Sequence, residues 1–222
     1  MVLAPASESA SLELLAARLS SLPLTAWPSA LGAFARSGLR PALAALLEDD
    51  RAIRSIAARS YAHGNGFNKV VLAEENGVVV RLHVAEGASE DNIHDHRWSF
   101  ASTVLTGALE NVTFAESDDG VPCDELRYLR DGASTEAVPI RTCRVREVGR
   151  RRYGPGDAYV QDRATLHRIR WSAGCRTLMV TQRPVSGSCR LLTTGGSPKL
   201  RGAPLARASA CALLSDTVRM LP

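Results

Sequence analysis

The chain has 222 residues, 45% of them hydrophobic and 23% charged, with a net charge of +4. That length suits one domain with a sizeable core, and the balance is ordinary for a globular protein. The positive excess is slight and aromatics make up 5% of the chain, which argues against a nucleic-acid groove, where aromatics interleave with basic residues. The basic run Arg141, Arg144, Arg146, Arg150, Arg151 and Arg152 therefore reads as a solvated strand edge. Cys123, Cys143, Cys175, Cys189 and Cys211 are odd in number and contain no C-x-x-C pair, so neither a disulfide framework nor a zinc knuckle is expected. No basic segment precedes an apolar run at the N-terminus, and Glu8 and Glu13 fall where targeting peptides avoid acids. No apolar run approaches the roughly 18 residues of a membrane span. The expectation is a cytoplasmic protein with no membrane partner.

Residues 1–60 carry helical period. Leu12, Leu14, Leu15 and Leu19 form a stripe after Ser11, Trp27-Pro28 opens a segment through Ala35, Leu43, Leu46 and Leu47 mark a third helix, and Ile53, Ile56 and Ala57 a fourth. These helices are expected to cap one end or side of a β-barrel spanning 61–222, the whole being a single domain. From Phe67 the pattern changes to short β-rich runs. Val70–Leu72 and Val78–Val84 flank Asn76-Gly77 and read as a hairpin. Strands are expected at 94–100, 102–105, 109–114, 125–129, 142–148, 158–160, 166–171 and 177–182, then a loop over 187–204 and a terminal helix over 206–214. Such spacing predicts a closed sandwich or barrel.

The stretch with most chemistry is Ile93-His94-Asp95-His96. On a strand, residues i and i+2 share a face, so both imidazoles reach one metal ion while Asp95 points away. A glycine turn follows at Gly107, and Gly154-Pro155-Gly156-Asp157 leads to a third histidine, His167. This combination resembles the two motifs of the cupin superfamily, which implies a mainly β fold, the double-stranded β-helix or jelly-roll barrel, here with an N-terminal helical segment. Ile93-His94-Asp95-His96, the Leu105-x-Gly107-x-Leu109 turn, Thr113-Phe114 and Ala158-Tyr159-Val160-x-Asp162-x-x-x-Leu166-His167-Arg168-Ile169 are similar to the metal-binding blocks of cysteine dioxygenases and related thiol dioxygenases. The resemblance covers roughly residues 67–190 and is looser between the two blocks, where this chain carries a longer insert.

Many metal cupins place a glutamate about four residues after the His-x-His pair; here Phe100 stands there, and Glu110 reads as a surface residue. The expected ligand set is His94, His96 and His167, neutral donors that leave open positions for substrate and dioxygen, with Fe(II) as the expected metal and Ni(II) as the alternative. Neutral ligands preserve the metal's full charge, which favours a thiolate or carboxylate.

Under the resemblance, the carboxylate-binding arginine of thiol dioxygenases falls at Lys69, which keeps charge but loses the bidentate fork. The aromatic residue two positions earlier becomes Phe67. No cysteine lies near Phe100 or Ala101, so the thioether crosslink of the animal enzymes cannot form. With Pro184 matched to the family's proline, the late His-x-Tyr pair falls at Val180 and Gln182, and Gln182 becomes a catalytic candidate as a hydrogen-bond donor. Tyr159 and Cys189 become substrate-binding candidates, Cys189 at the mouth of the site or as a packed thiol.

Independently of the resemblance, Arg81 and His83 alternate with Val80, Leu82 and Val84. If that polar face lines the barrel, Arg81 clamps a carboxylate and His83 supports it; if it faces solvent, both are structural. His63 lies in a Gly-Asn turn region, and Trp98 is expected to pack over the metal strand. The reaction expected is oxygenation with O₂ of a small aminothiol such as L-cysteine, giving S-oxygenation or an oxidative rearrangement or decarboxylation. The alternatives are a redox-neutral lyase or isomerase and a non-catalytic ligand-binding protein. Either a monomer or a homodimer fits.

Overall fold

The computed structural model describes residues 11–131, 134–195, 198 and 201–222; Glu8, weighed above, lies outside them. Helices α1 (Leu12–Ser20), α2 (Trp27–Ser37), α3 (Leu39–Glu48) and α4 (Asp50–Arg59) occupy the expected N-terminal stretch. Ser11 Oγ accepts from the Leu14 amide at 3.0 Å, and Asp49 Oδ1 from the amides of Arg51 and Ala52 at 2.9 and 3.1 Å. These caps answer first-turn donors and fix where α1 and α4 begin.

The strands are β1 (Tyr61–His63), β2 (Phe67–Glu75), β3 (Val78–Ala85), β4 (Ser89–Glu90), β5 (Ile93–His94), β6 (Phe100–Thr106), β7 (Leu109–Asp131), β8 (Ser134–Tyr153), β9 (Ala158–Gln161), β10 (Leu166–Trp171), β11 (Cys175–Thr181), β12 (Ser188–Thr193) and β13 (Arg201–Pro204); α5 (Arg207–Met220) follows. One sheet has the order β13-β1-β2-β3-β11-β6-β9, the other β4-β10-β5-β12-β7-β8, with β10 also paired to β7. Following β3, β5, β6, β7, β8, β9, β10 and β11, the chain changes sheet at every step except the β7–β8 hairpin. That path is a jelly roll, so the expected mainly β architecture with N-terminal helices is what forms. At the β2–β3 turn, Asn76 and Gly77 have φ of 51° and 78°, as a two-residue hairpin of matching twist requires.

The helices cover the outer face of the first sheet. Leu12, Leu15, Leu19, Leu31, Leu43, Ile53 and Ile56 form one core with Val70, Leu72, Val80, Leu82, Val84, Leu178 and Val180 from β2, β3 and β11. Each such side chain contributes roughly 1.5–3 kcal/mol by burial, and together they fix which face of each strand turns outward. Phe67, Ala85, Phe100, Tyr159, Ile169, Trp171 and Met179 form a second core inside the barrel.

Several element expectations need correction. The strand expected over 94–100 is interrupted: β5 has two residues, and β6 starts at Phe100. The chain leaves the sheet because Asp95 Oδ1 accepts the Arg190 amide at 2.6 Å and the His96 amide donates to the Arg163 carbonyl at 2.9 Å. The strands expected at 109–114, 125–129 and 142–148 are parts of one long hairpin, β7–β8, whose register shifts near Thr113, Glu116 and Glu125. Those irregularities break the two-residue alternation on which strand recognition depends. The loop expected over 187–204 contains β12 and β13, specified by pairing with β7 and β1 and not by local composition; its residues 196–197 and 199–200 lie outside the described set. Helix α5 continues six residues past the expected end at Leu214.

Gly107 turns β6 into β7 with φ of 68°, and a Cβ there would lie 2.8 Å from Cys175 Cα. Gly107→Ala should therefore cost about 2–4 kcal/mol of unfolding free energy. Chemical denaturation would register this as a lower midpoint with an unchanged slope; an unmoved midpoint would mean that the turn can be rebuilt without strain.

Candidate metal centre

His94 ends β5, His167 is the second residue of β10, and the two are paired across the sheet. His96 comes from the segment that follows β5. That segment is stitched to the turn before β10: the His96 amide donates to the Arg163 carbonyl at 2.9 Å, and the Arg163 amide donates to Ser99 Oγ at 3.1 Å. The ring nitrogens of the three histidines lie within 4.8 Å of one another. The same-strand reasoning that grouped His94 and His96 is thus replaced by a strand-end and loop geometry that reaches the same convergence.

Two of the rings have fixed tautomers. His94 Nδ1–H donates to the Asn92 carbonyl at 2.8 Å, and His167 Nδ1–H donates to Asn111 Oδ1 at 3.0 Å, while Asn111 Nδ2 donates to Gln161 Oε1 at 2.9 Å. Each Nε2 therefore presents a lone pair, the form a metal ligand needs. Nε2 of His96 and Nε2 of His167 are 2.8 Å apart. Burial holds all three rings neutral, with His94 lowered to about 4 and His96 and His167 well below their usual value. This donor set fits a divalent ion of imidazole preference, Fe(II) and Ni(II) included, and does not distinguish between them. The place of the glutamate is apolar: the Phe100 ring stands edge-on to His96 with centroids 4.9 Å apart. Glu110 pairs with Arg150 and Arg170 away from the centre.

Two cavities meet at this point. A barrel cavity of about 70 Å³ is lined by interior residues including Arg81, His83, Asp91, Tyr159, Trp171 and Met179. A loop-side cavity of about 100 Å³ is lined by Tyr61, Asp95, Arg97, Tyr128 and Cys189, among others. His63, Asn65, Lys69, His94, His96 and Trp98 line both and form the neck between them.

The alternation left open for β3 resolves inward. Val80, Leu82 and Val84 pack under the helices, and Arg81 and His83 face the barrel cavity. The Arg81 guanidinium lies 5.0 Å from the Trp98 ring centre. Lys69 pairs with His83 across β2 and β3 and lies 5.8 Å from the Phe67 ring centre and 5.4 Å from that of Tyr61. Burial holds its ammonium below the usual lysine value, and the Tyr61 side chain, whose oxygen accepts a hydrogen bond from the ammonium, partly offsets this. Phe67 is buried, packed between His63 and His83 with centroid distances of 4.7 and 5.0 Å. Tyr159 stacks on Tyr153 at 4.4 Å and is hydrogen-bonded to Ser102. Burial raises its phenol. The Cys189 thiol, at the loop-side cavity, is pushed up to about 12 by burial, so it stays protonated.

Gln182 stands apart from these. In β11 the helix-facing residues are Leu178 and Val180, while Met179 lines the barrel cavity. Val180 has the outward parity, and Gln182, just past the end of β11, lines neither cavity. The inward positions are Thr177, Met179 and Thr181.

Sequence reasoning missed Asn111, Gln161 and Asn92, which orient the ligands, and Asp91 and Asn65 in the cavity walls. Asn111 carried a usable signal, since it shares the inward parity of buried Leu109 and is a polar residue in an apolar register.

No protein-family model and no curated protein matches the sequence. Solved structures similar to parts of the chain are cupins and related enzymes. They include an RmlC-like cupin from Shewanella frigidimarina, with 12% identity, 57% of this chain and 85% of that one covered, and a TM-score of 0.35. A hydroquinone 1,2-dioxygenase in complex with Cd²⁺ and 4-hydroxybenzonitrile has 18% identity, coverage of 60% and 72%, and a TM-score of 0.36. A Bacillus subtilis oxalate decarboxylase variant has 10% identity and a TM-score of 0.35, and the match covers 57% of this chain but only 28% of that one. Likenesses this distant say nothing about substrate or reaction.

Asn111→Leu keeps the branched outline of the side chain but removes the acceptor that holds His167. Metal affinity should fall about 10- to 100-fold, read by titration against a chelating indicator, with the thermal midpoint of the metal-free protein changed far less. Unchanged affinity would mean that the ring is oriented by packing alone.

Proposed function

We propose that the chain is a metal-dependent oxygenase that uses O₂ to oxidise a small anionic aminothiol, with L-cysteine as the test substrate. The observation that carries this reading is the juxtaposition of three neutral imidazoles, with no carboxylate among them, and two half-buried cations in the adjoining cavity. Among the lining residues of the barrel cavity, Lys69 and Arg81 face a single carboxylate, Asp91. A bound divalent ion held by His94, His96 and His167 would add its full charge and supply a Lewis-acidic centre with positions left open for exogenous ligands. The site thus favours a ligand that brings negative charge at both ends, as a thiolate and a carboxylate do.

The remaining residues select size and orientation. Cavities of about 70 and 100 Å³ admit a ligand of only a few non-hydrogen atoms. Lys69 at the neck and Arg81 deeper in the barrel hold the carboxylate, Phe67 and Trp98 wall the passage and limit water, and Tyr159 lines the far side as a protonated phenol. In the proposed net reaction both atoms of O₂ go to sulfur, converting the thiol to a sulfinic acid with no further reductant. Tyr159, and not Gln182, is among the residues lining the barrel cavity and offers it a hydroxyl donor.

Metal analysis followed by oxygen uptake with a panel of thiols tests the reading. Iron or nickel with thiol-dependent uptake supports it, whereas zinc without uptake supports redox-neutral chemistry. Mass spectrometry with labelled O₂ separates sulfinate from a rearranged or decarboxylated product. Within the same assay, Lys69→Gln and Arg81→Gln should each raise KM for L-cysteine about tenfold or more, and leave cysteamine, which lacks the carboxylate, nearly unaffected. Equal effects on both thiols would remove these residues from carboxylate binding.

A further inference from the structure

His63 is the last residue of β1, and the turn that follows it, Gly64-Asn65-Gly66, folds back over the ring. The Asn65 amide donates to His63 Nδ1 at 3.2 Å, and the Gly66 amide donates to the His63 carbonyl at 3.0 Å. Gly66 takes φ of 84° to close this turn, and Asn92 Nδ2 braces Asn65 Oδ1 at 3.4 Å. The ring is stacked flat on Phe67, with centroids 4.7 Å apart and 9° between planes. Both its orientation and its tautomer are therefore set before any ligand arrives. Because Nδ1 is an acceptor, the proton of the neutral ring resides on Nε2, and burial beside Lys69 keeps the ring neutral, lowered to about 2.

Resting on the oxygenase reading above, we propose that His63 is a substrate-positioning residue, whose Nε2–H donates to a carboxylate oxygen of the ligand at the neck between the two cavities. The neck is where Lys69 and the ligands His94 and His96 also lie. A neutral donor there adds direction to a carboxylate that the lysine ammonium attracts chiefly as a point charge. The adjoining barrel cavity points to a polar occupant as well: His83, 6% exposed, has no hydrogen-bond partner for its Nε2 among the described residues. An imidazole with Nδ1 tied to a backbone amide cannot serve as a general base through that nitrogen, so the role is positioning.

Nitrogen-15 NMR of the full chain loaded with zinc, at neutral pH, reads the tautomer directly. Protonated Nε2 and bare Nδ1 are expected at His63, and the reverse pattern would overturn the proposal. Acetate, a carboxylate without a thiol, probes the donor. Its affinity for the zinc-loaded protein, followed by calorimetry, should fall roughly tenfold in His63→Phe, which keeps the stack on Phe67 but has no N–H. It should recover in His63→Gln, whose amide nitrogen can replace Nε2. Equal affinity in wild type and His63→Phe, or no acetate binding to the wild type, would sink the assignment. Because acetate has no sulfur, failure of L-cysteine to react would count against the thiol reading alone.

Discussion

The structure depends on one constraint: the sheet containing β2, β3 and β11 is buried on both faces. Most exposed sheets put their apolar face inward and their polar face in water. Here the helical layer takes the aliphatic face, with Leu12, Leu19, Leu31 and Leu43 against Val80, Leu82, Val84 and Leu178, and the residues between these must face the barrel. Because strand periodicity is two, placing Val80 and Leu82 under the helices obliges Arg81 and His83 to point at the cavity. Any slip by one residue would bury two charged or polar groups under α1 and expose the aliphatic set to the site, so the hydrophobic contact with the helices is what positions the polar chemistry.

The opposite sheet supplies the metal end by a different device. His94 and His167 are adjacent because β5 and β10 pair, and His96 joins them because its segment is tied to the turn ahead of β10. None of these three positions relies on the helices. Buried imidazoles without partners would be costly, and the Asn92 carbonyl and the Asn111–Gln161 pair answer the outer nitrogens of two of them. The inner nitrogens converge on one point where a metal ion could be held.

Legibility in the sequence follows the same division. The hairpin at Asn76-Gly77, the helical stripes and the two histidine blocks were readable because each is encoded locally, in periodicity, turn chemistry or short spacing. Strands β12 and β13 were not, since Gly, Ser and Thr there acquire strand geometry only from partners far along the chain. The β7–β8 hairpin was read in pieces because its register shifts interrupt alternation. That Gln182 lies outside both cavities was not readable for a related reason: a match anchored on Pro184 carries no information about which face of β11 the helices cover. The place of His63 at the neck was not legible, because its ring is oriented by a hydrogen bond from the Asn65 amide, and composition does not report which ring nitrogen that turn engages.

The distribution of determinants explains why this chain announces a metal more clearly than a substrate. The ligands occupy two short blocks and are constrained by each other, so their spacing survives as a motif. The cavity-facing groups are scattered, with His63 on β1, Lys69 on β2, Arg81 and His83 on β3 and Met179 on β11, each fixed only by the parity of its own strand. A substitution at one of these positions changes the charge or shape of the cavity without moving His94, His96 or His167, since the latter belong to the other sheet or its flanking segment. Conversely, a change on the helix-facing side, such as a smaller residue at Leu82, acts on the cavity through strand position with no direct contact. The two sheets thus separate the three-histidine cluster from most of the charged cavity lining, and the neck where His63 and Lys69 meet His94 and His96 is the place at which the separation ends.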